Sequence, residues 1–187
     1  MKIAPSEWQF ARKTGRTEAV ILFMISGQMF AITASAIHEI RSTDSISGAA
    51  SEIEVVGLAK VRHVVHRGRK IYYVVNGCAH FGLPTSRPTL VLVLRHSHVA
   101  VLVDAIDRME TISLLMALPA SFSGPERAWY RGVTLIGEDV VPVVNPSGFL
   151  TENELAQLGA VVKAEDVTAS ESARSDTSEE VNRAVSQ

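Results

Sequence analysis

The sequence predicts an all-β fold: two small closed β-subdomains of about five short strands each, packed together and followed by a short C-terminal helix. Val, Ile and Tyr are concentrated in short runs separated by turn residues, which is typical of strands. The sequence also repeats itself at an offset of 69 positions, and helical periodicity is strongest near its end. Each half alone would bury little apolar surface, so we expect the halves to share an apolar seam.

The repeat divides the folded region into two halves, at about residues 19–86 and 87–150. The offset of 69 aligns the run 22–25 with 91–94. It also aligns four residues of the first half with four identical residues of the second: Gly68, Val74, Val75 and Asn76 with Gly137, Val143, Val144 and Asn145. Because two separate segments agree on one offset, the pattern favours a structural duplication.

Each half presents the same elements in the same order. A first hairpin is predicted from VILFMI and MFAI in one half, and from TLVLVLR and VAVLV in the other. Ser35 and Asp104 then stand where a short helix is expected to begin, because both are N-cap residue types. A second hairpin closes each half, with Gly68 and Gly137 as its turn residues.

The segments outside the two halves are predicted from capping and composition. Thr151 and a Glu-rich first turn predict a C-terminal helix over about 151–162, with Leu155, Leu158 and Val162 on its apolar face. Residues 164–187 contain no aromatic residue, Leu or Ile and carry a net charge of −4, so we expect a disordered acidic tail. Residues 1–18 are predicted to be an N-terminal arm, and 42–52 a mobile loop.

Composition narrows the class of protein. The formal net charge of −2 gives no electrostatic reason to expect nucleic acid as a partner. The single cysteine, Cys78, excludes an internal disulfide framework. The longest apolar runs are far shorter than the roughly 20 residues that cross a bilayer, and the N-terminus lacks the apolar region of a secretory signal. We therefore expect a soluble, cytoplasmic protein without direct membrane insertion.

Catalytic and metal sites are not indicated by the residue patterns. His63 and His66 are three apart in a predicted strand and so lie on opposite faces, while His96 and His98 flank a predicted turn. The favoured interpretation is solvated turn histidines; a small metal-dependent enzyme that uses these four remains the alternative. Nucleophile-elbow and phosphate-loop motifs are missing from the sequence, so we expect no enzymatic activity, no catalytic residues, no metal and no cofactor.

Arg67 differs from the other polar candidates because the repeat gives it an apolar counterpart. The residue 69 positions later is Ile136, and Glu39 likewise corresponds to Arg108. A side chain that one copy keeps and the other copy does without is expected to serve a partner outside the fold. The alternative is an ordinary solvated turn charge.

In their order along the chain, these motifs resemble the CheW-like coupling (adaptor) proteins of bacterial chemotaxis, over about residues 19–158. Ile37-His38-Glu39-Ile40 resembles the family's V-x-E-I segment, and VRHVVHRGRKIYYVVNGCAHFGLP its Arg-Gly hairpin, with Arg67-Gly68 at the Arg-Gly. In the second half, VAVLVDAIDRMETI resembles its V-D-x-V segment and YRGVTLIGEDVVPVVNPSGFL its final hairpin.

The resemblance implies a non-enzymatic scaffold of two SH3-like barrels that couples the cytoplasmic helix bundle of chemoreceptors to the histidine kinase CheA, within arrays that can include like domains. It implies recruitment to membrane receptor arrays through these partners. It also implies a receptor-binding groove between the barrels, formed here by Ile37, Glu39, Arg67, Val103, Ile106 and Met109.

Three departures from the family pattern leave the pathway open. Residues 42–60 contain no proline, the glycine expected five positions before the Arg is Arg62, and the D-L-R segment is Asn76-Gly77-Cys78. The alternatives are therefore a divergent adaptor of a pilus-motility or other chemosensory pathway, or a peptide-binding β-module outside chemosensing.

Overall fold

The computed structural model describes residues 17–120 and 122–164. The strands of this part are β1 (Glu18–Ile25), β2 (Gln28–Thr33), β3 (Ile37–Ser42), β4 (Ala50–Glu52), β5 (Val61–Arg67), β6 (Lys70–Asn76), β7 (Leu90–Leu94), β8 (Val99–Val103), β9 (Ala105–Ile112), β10 (Tyr130–Ile136) and β11 (Asp139–Val144). Its helices are α1 (Asp44–Ser47), α2 (Gly77–Phe81) and α3 (152–164), with 3-10 turns at Ala34–Ala36, Pro125–Trp129 and Pro146–Gly148. The predicted all-β class is confirmed.

The strands form two sheets that exchange hairpins between the two halves of the sequence. A five-stranded sheet has the order β10-β11-β2-β1-β9, and a six-stranded sheet the order β3-β7-β8-β6-β5-β4. Each sheet thus joins the first hairpin of one half to the second hairpin of the other, which corrects the prediction that each subdomain is one consecutive half, 19–86 or 87–150. The exchange gives β2 and β6 a paired neighbour on both edges, so neither is an edge strand of its sheet.

The duplication is visible in the hairpin register. Hairpin β5–β6 pairs Val64 with Tyr73, and hairpin β10–β11 pairs Val133 with Pro142, 69 positions later in both strands. Each hairpin also has a register shift at the same place, two residues into its first strand. The turn residues Gly68 and Gly137 adopt φ values of +59° and +63°, a region that glycine enters without steric cost.

One part of the predicted alignment needs a correction of two residues. β3 pairs Ile37 with Leu94, while its counterpart β9 pairs Ile106 with Phe23. Strand β1 therefore corresponds to β7 at an offset of 71 and not 69. The cause is the length of the first hairpin: eight residues lie between the paired Leu22 and Ala31, but only six lie between their counterparts Val93 and Ala100.

The predicted apolar seam is the main core. Buried side chains of the five-stranded sheet, including Phe23, Phe30 and Ile32, pack in one cluster with Leu92 and Leu94 of the six-stranded sheet. Leu158 and Val162 of α3 belong to the same cluster, with Leu155 packed against it. Neither sheet closes on itself in strand order, so the subdomains are curled SH3-like sheets and not closed barrels.

The C-terminal helix begins with the predicted capping box. The Thr151 N–H donates to Glu154 Oε2 at 2.7 Å, and the Glu154 N–H donates to Thr151 Oγ1 at 3.3 Å. Lys60 Nζ lies 2.8 Å from the same Glu154 carboxylate and ties the helix start to the segment before β5. Cap chemistry is local, which explains why the sequence was sufficient to predict it.

Removing the threonine cap is expected to weaken the fold modestly. Thr151→Ala should lower the free energy of unfolding by about 1 kcal/mol, because the Glu154 N–H loses its acceptor and the Glu154 carboxylate loses the Thr151 hydroxyl as a donor. Urea unfolding checks this value, with Thr151→Ser as the matched control that keeps the hydroxyl. An alanine variant as stable as the parent protein would contradict the assigned cap.

Three local predictions are corrected. Ser35 lies within a 3-10 turn, and Asp104 starts no helix: its carboxylate accepts from the Ser26 N–H at 2.6 Å and from Ser86 Oγ at 2.5 Å. The predicted loop 42–52 contains α1 and β4.

The two predicted terminal segments lie outside the described residues, except for residue 164 of the acidic tail and residues 17–18 of the N-terminal arm. Within the described part, no helix is long and apolar enough to span a membrane.

Candidate protein-binding site

The curl of the six-stranded sheet brings together two of the predicted site residues. Glu39 lies on β3 and Arg67 at the end of β5, with β7, β8 and β6 between these strands in the sheet order. The Arg67 guanidinium nevertheless forms an ion pair with the Glu39 carboxylate, and Arg41 Nε lies 3.1 Å from Glu39 Oε2. The side chains of Arg67 and Glu39 are 42% and 23% exposed, so the pair stays in contact with solvent.

A small recess lies behind this ion pair, inside the curl of the sheet. Its volume is about 70 Å³. Its floor is apolar and is formed by Val65, Tyr72, Val74, Val91, Val93 and Ala100. Its rim carries Glu39, Arg41, His66 and Arg67, and Ile46 of α1 covers one side. We call this feature, floor and rim together, the charged-rim recess.

The equivalent place in the five-stranded sheet is built differently. Ile136, the counterpart of Arg67, is buried in an apolar cluster with Leu22 and Val141. Arg108, the counterpart of Glu39, turns instead to Asp107, with 2.6 Å between Arg108 Nη1 and Asp107 Oδ2. Arg67 therefore has a partner within the fold, which modifies the expectation that it serves only an outside partner. A charged rim at this position is found in the six-stranded sheet and not in its counterpart.

The other predicted groove residues do not join Glu39 and Arg67. Ile37 and Val103 are 7% and 0% exposed and belong to the seam between the sheets. Ile106 is partly buried against the same seam, whereas Met109, on the other sheet, is 69% exposed. A strand sequence cannot distinguish a seam residue from a groove residue, since both are apolar. A substitution such as Ile37→Asp would bury a carboxylate in the core and test folding, not binding.

Ile40 is an exposed apolar residue that the sequence analysis did not select. It is 40% exposed on β3, and 69 positions later stands the exposed Met109 of β9. Both strands lie at the end of the strand order of their sheets. A position-by-position comparison of the two halves could have identified Ile40 from the sequence, because it aligns Ile40 with Met109.

The histidines of the metal-enzyme alternative are dispersed. His66 lines the charged-rim recess, while His98 Nδ1 lies 2.8 Å from the Ile71 carbonyl oxygen. Within residues 17–120 and 122–164, no three His, Cys, Asp or Glu side chains lie close enough together to hold a metal ion. Cys78 is buried, with its Sγ 3.1 Å from Ser86 Oγ.

His80, in α2, is a buried histidine among aromatic rings. It is 3% exposed, and its ring lies 4.6 Å from that of Trp129 and 5.0 Å from that of Phe149. Phe149 is its counterpart at the offset of 69, so the two halves meet there. Among residues 17–120 and 122–164, neither ring nitrogen has a hydrogen-bond partner. Burial and the positive charge of Lys60 lower the pKa of His80, while the negative charge of Glu154 raises it; the resulting pKa is about 4. The imidazole of His80 is therefore neutral at neutral pH.

These features define a class of protein first: a two-sheet β module with a small apolar recess behind a partly exposed ion pair. The chain matches the CheW-like domain family over residues 19–154 and belongs to that family of scaffold and adaptor proteins. A similar solved structure is that of the scaffolding protein TtCheW from Thermoanaerobacter tengcongensis, at 12% identity and a TM-score of 0.58, covering 70% of this chain and 90% of that one. At this identity the likeness shows the fold alone. Comparison with curated proteins gives no match.

Proposed function

We propose that this protein is a non-enzymatic adaptor that couples the cytoplasmic helix bundle of chemoreceptors to a CheA-type histidine kinase. Its CheW-like family supports an adaptor role. The observation that carries the receptor part is the Glu39–Arg67 ion pair at the rim of an apolar recess. Recruitment to the membrane would then follow from receptor binding.

The charged-rim recess has the chemistry that an amphipathic helix requires. An apolar side chain of the helix can enter the recess, and a carboxylate on the next turn can reach Arg67. Because the Glu39–Arg67 pair is partly exposed to water, it contributes little to stability. When Arg67 turns to a receptor carboxylate, Glu39 keeps a cationic neighbour, because Arg41 Nε lies 3.1 Å from Glu39 Oε2.

An adaptor also needs a second surface for the kinase. Met109 lies on the opposite sheet from the charged-rim recess and exposes 69% of its surface. Exposed methionine adapts its shape to a partner and gains free energy when it is covered. We assign the kinase contact to the surface around Met109 on β9.

Pairwise titration tests the two contacts separately. The full chain is titrated with a receptor helical-hairpin fragment and, independently, with the regulatory domain of the kinase. We expect saturable binding in both titrations, each with a stoichiometry of one to one. Absence of binding to both partners would overturn the proposal and favour a peptide-binding module outside chemosensing.

Substitution of Met109 is expected to affect the kinase contact alone. Met109→Ser should weaken kinase binding about fivefold, because about 1 kcal/mol of apolar burial is lost at the interface. The receptor titration and the free energy of unfolding should stay unchanged, since the side chain is exposed. Val56→Ser is the matched control, because Val56 is 98% exposed in the segment between β4 and β5, away from β9. Equal effects of the two substitutions would place the kinase contact elsewhere.

A further inference from the structure

The C-terminal helix α3 runs along one face of β6 toward the tip of the hairpin β5–β6. It begins beside Lys60, whose Nζ lies 2.8 Å from the Glu154 carboxylate and whose carbonyl oxygen accepts from the Asn76 N–H at the far end of β6. Five residues further along α3, Gly159 faces the hydroxyl of Tyr73, which lies three residues closer to the hairpin tip. The end of α3, at residue 164, is therefore directed at this tip.

The hairpin tip is cationic. Arg67, Arg69 and Lys70 lie within four consecutive positions, and all three are exposed. Arg67 pairs with Glu39, whereas Arg69 and Lys70 form no ion pair within residues 17–120 and 122–164. Unpaired cations beside the rim of the charged-rim recess attract an acidic segment of chain.

The charged-rim recess lies on the other face of the same strand. Tyr72 and Val74 of β6 form part of its floor, whereas Tyr73 and Val75 face the core that includes α3. Because packed layers lie about 10 Å apart, the path from the end of α3 around the tip to the recess is on the order of 20 Å. The chain between 165 and 176 spans about 20 Å when flexible and about 40 Å when extended, so it reaches the recess.

The sequence beyond this linker predicts a short amphipathic helix. Residues 177–185 read TSEEVNRAV and begin with the T-x-x-E spacing of the capping box that starts α3. The acidic residues Glu179 and Glu180 directly precede the first apolar residue. The apolar residues recur at the i, i+3 and i+4 spacing of one helical face: Val181, Ala184 and Val185. A helix of this length is marginal in water alone, so it needs a surface that covers its apolar face.

We propose that the segment 177–185 of this chain docks on the chain's own charged-rim recess. Val181 covers the apolar floor, while Glu179 and Glu180 lie against Arg67 and Arg69. A tethered segment acts at an effective concentration in the millimolar range, so weak contacts are sufficient to hold it. The docking requires no other protein. The docked segment also competes with the receptor helix for the recess, and this competition rests on the proposed function.

Nitrogen-15 relaxation of the full chain measures the docking without any partner. At an ionic strength of about 0.02 M we expect backbone order parameters above about 0.6 for residues 178–185, and lower values at about 0.5 M. A dilution of about tenfold should leave them unchanged, because the contact lies within one molecule. Val181→Ser should lower them to below about 0.6 and shift the amide signal of Gly68. Val167→Ser removes a valine from the same tail and is the matched control that should change neither.

Charge exchange separates a specific contact from a damaged fold. Glu179→Lys with Glu180→Lys should release the segment, and Arg67→Glu with Arg69→Glu should do the same. A single chain that carries all four substitutions should recover the order parameters. Low order parameters in the wild-type chain at low salt, an equal loss in Val167→Ser, or no recovery in the fourfold variant would overturn the docking. Order parameters that fall on dilution would overturn it as well, because a second copy would then supply the segment.

Titration with the receptor helical-hairpin fragment tests the competition separately. Val181→Ser should raise the affinity for this fragment at least about threefold, because the recess is no longer occupied. A segment that is released without any change in receptor affinity would overturn the competition. Absence of receptor binding in every variant would overturn the proposed function instead, while the order parameters decide the docking in either case.

Discussion

Acidification from about pH 6.5 to about pH 4 is expected to lower the free energy of unfolding by up to about 3 kcal/mol through His80 alone. The pKa of this buried imidazole is lowered from 6.5 to about 4 in the folded protein. Between these values the unfolded chain binds a proton that the folded chain excludes, so stability falls as the pH falls. Below the folded pKa both states are protonated and this contribution is constant.

The substitution His80→Phe should remove this pH dependence. The rings of Phe81, Trp129 and Phe149 already surround the His80 ring, so an aromatic side chain is compatible with the site. Urea unfolding at a series of pH values between about 7 and 4 measures the effect. His38→Gln, at an exposed position on β3, is the control that should keep the wild-type curve. An unchanged slope in His80→Phe would contradict the assignment.

Charge reversal at Arg67 is expected to have the largest effect on receptor binding. Arg67→Glu should reduce affinity for the receptor fragment about tenfold or more, because the rim loses the cation proposed to bind the receptor carboxylate and gains a like charge beside Glu39. The loss of stability should stay within about 1 kcal/mol, since the ion pair is partly exposed. Arg62→Glu, at an exposed position on the same strand, should leave the affinity unchanged.

Reversal of the whole pair separates the structural from the binding role. Glu39→Arg combined with Arg67→Glu restores an ion pair but moves the cation from β5 to β3. We expect the stability to return while the receptor affinity stays low. Recovery of both would mean that the ion pair acts through the fold and that Arg67 does not contact the receptor.

Features with local chemistry could be predicted from the sequence. The turn glycines Gly68 and Gly137 and the capping box at Thr151 each depend on a few adjacent residues, and the structure has them at the expected places. The shared apolar seam also followed from size, because neither half could bury enough surface alone. The repeat offset was correct for the second hairpins and two residues off for β1, because the hairpin β1–β2 is two residues longer than β7–β8 between equivalent pairs.

Features that depend on strand pairing could not be predicted. The exchange of hairpins between halves is decided by the parallel contacts of β6 with β8 and of β11 with β2, and pairing across halves leaves no local signal in the sequence. The Glu39–Arg67 contact depends on the curl of a whole sheet. Burial of Ile37 and Val103 depends on which face of a strand meets the seam, and an apolar residue alone does not indicate this.

Co-sedimentation with receptor-bearing membranes tests the adaptor role most directly. Purified kinase is mixed with the membranes in the presence and absence of this protein, and the kinase in the pellet is measured. We predict that the kinase pellets with the membranes when this protein is present, and that Arg67→Glu or Met109→Ser reduces the amount. Kinase that pellets equally without this protein, or that stays in solution with it, would contradict the role of an adaptor.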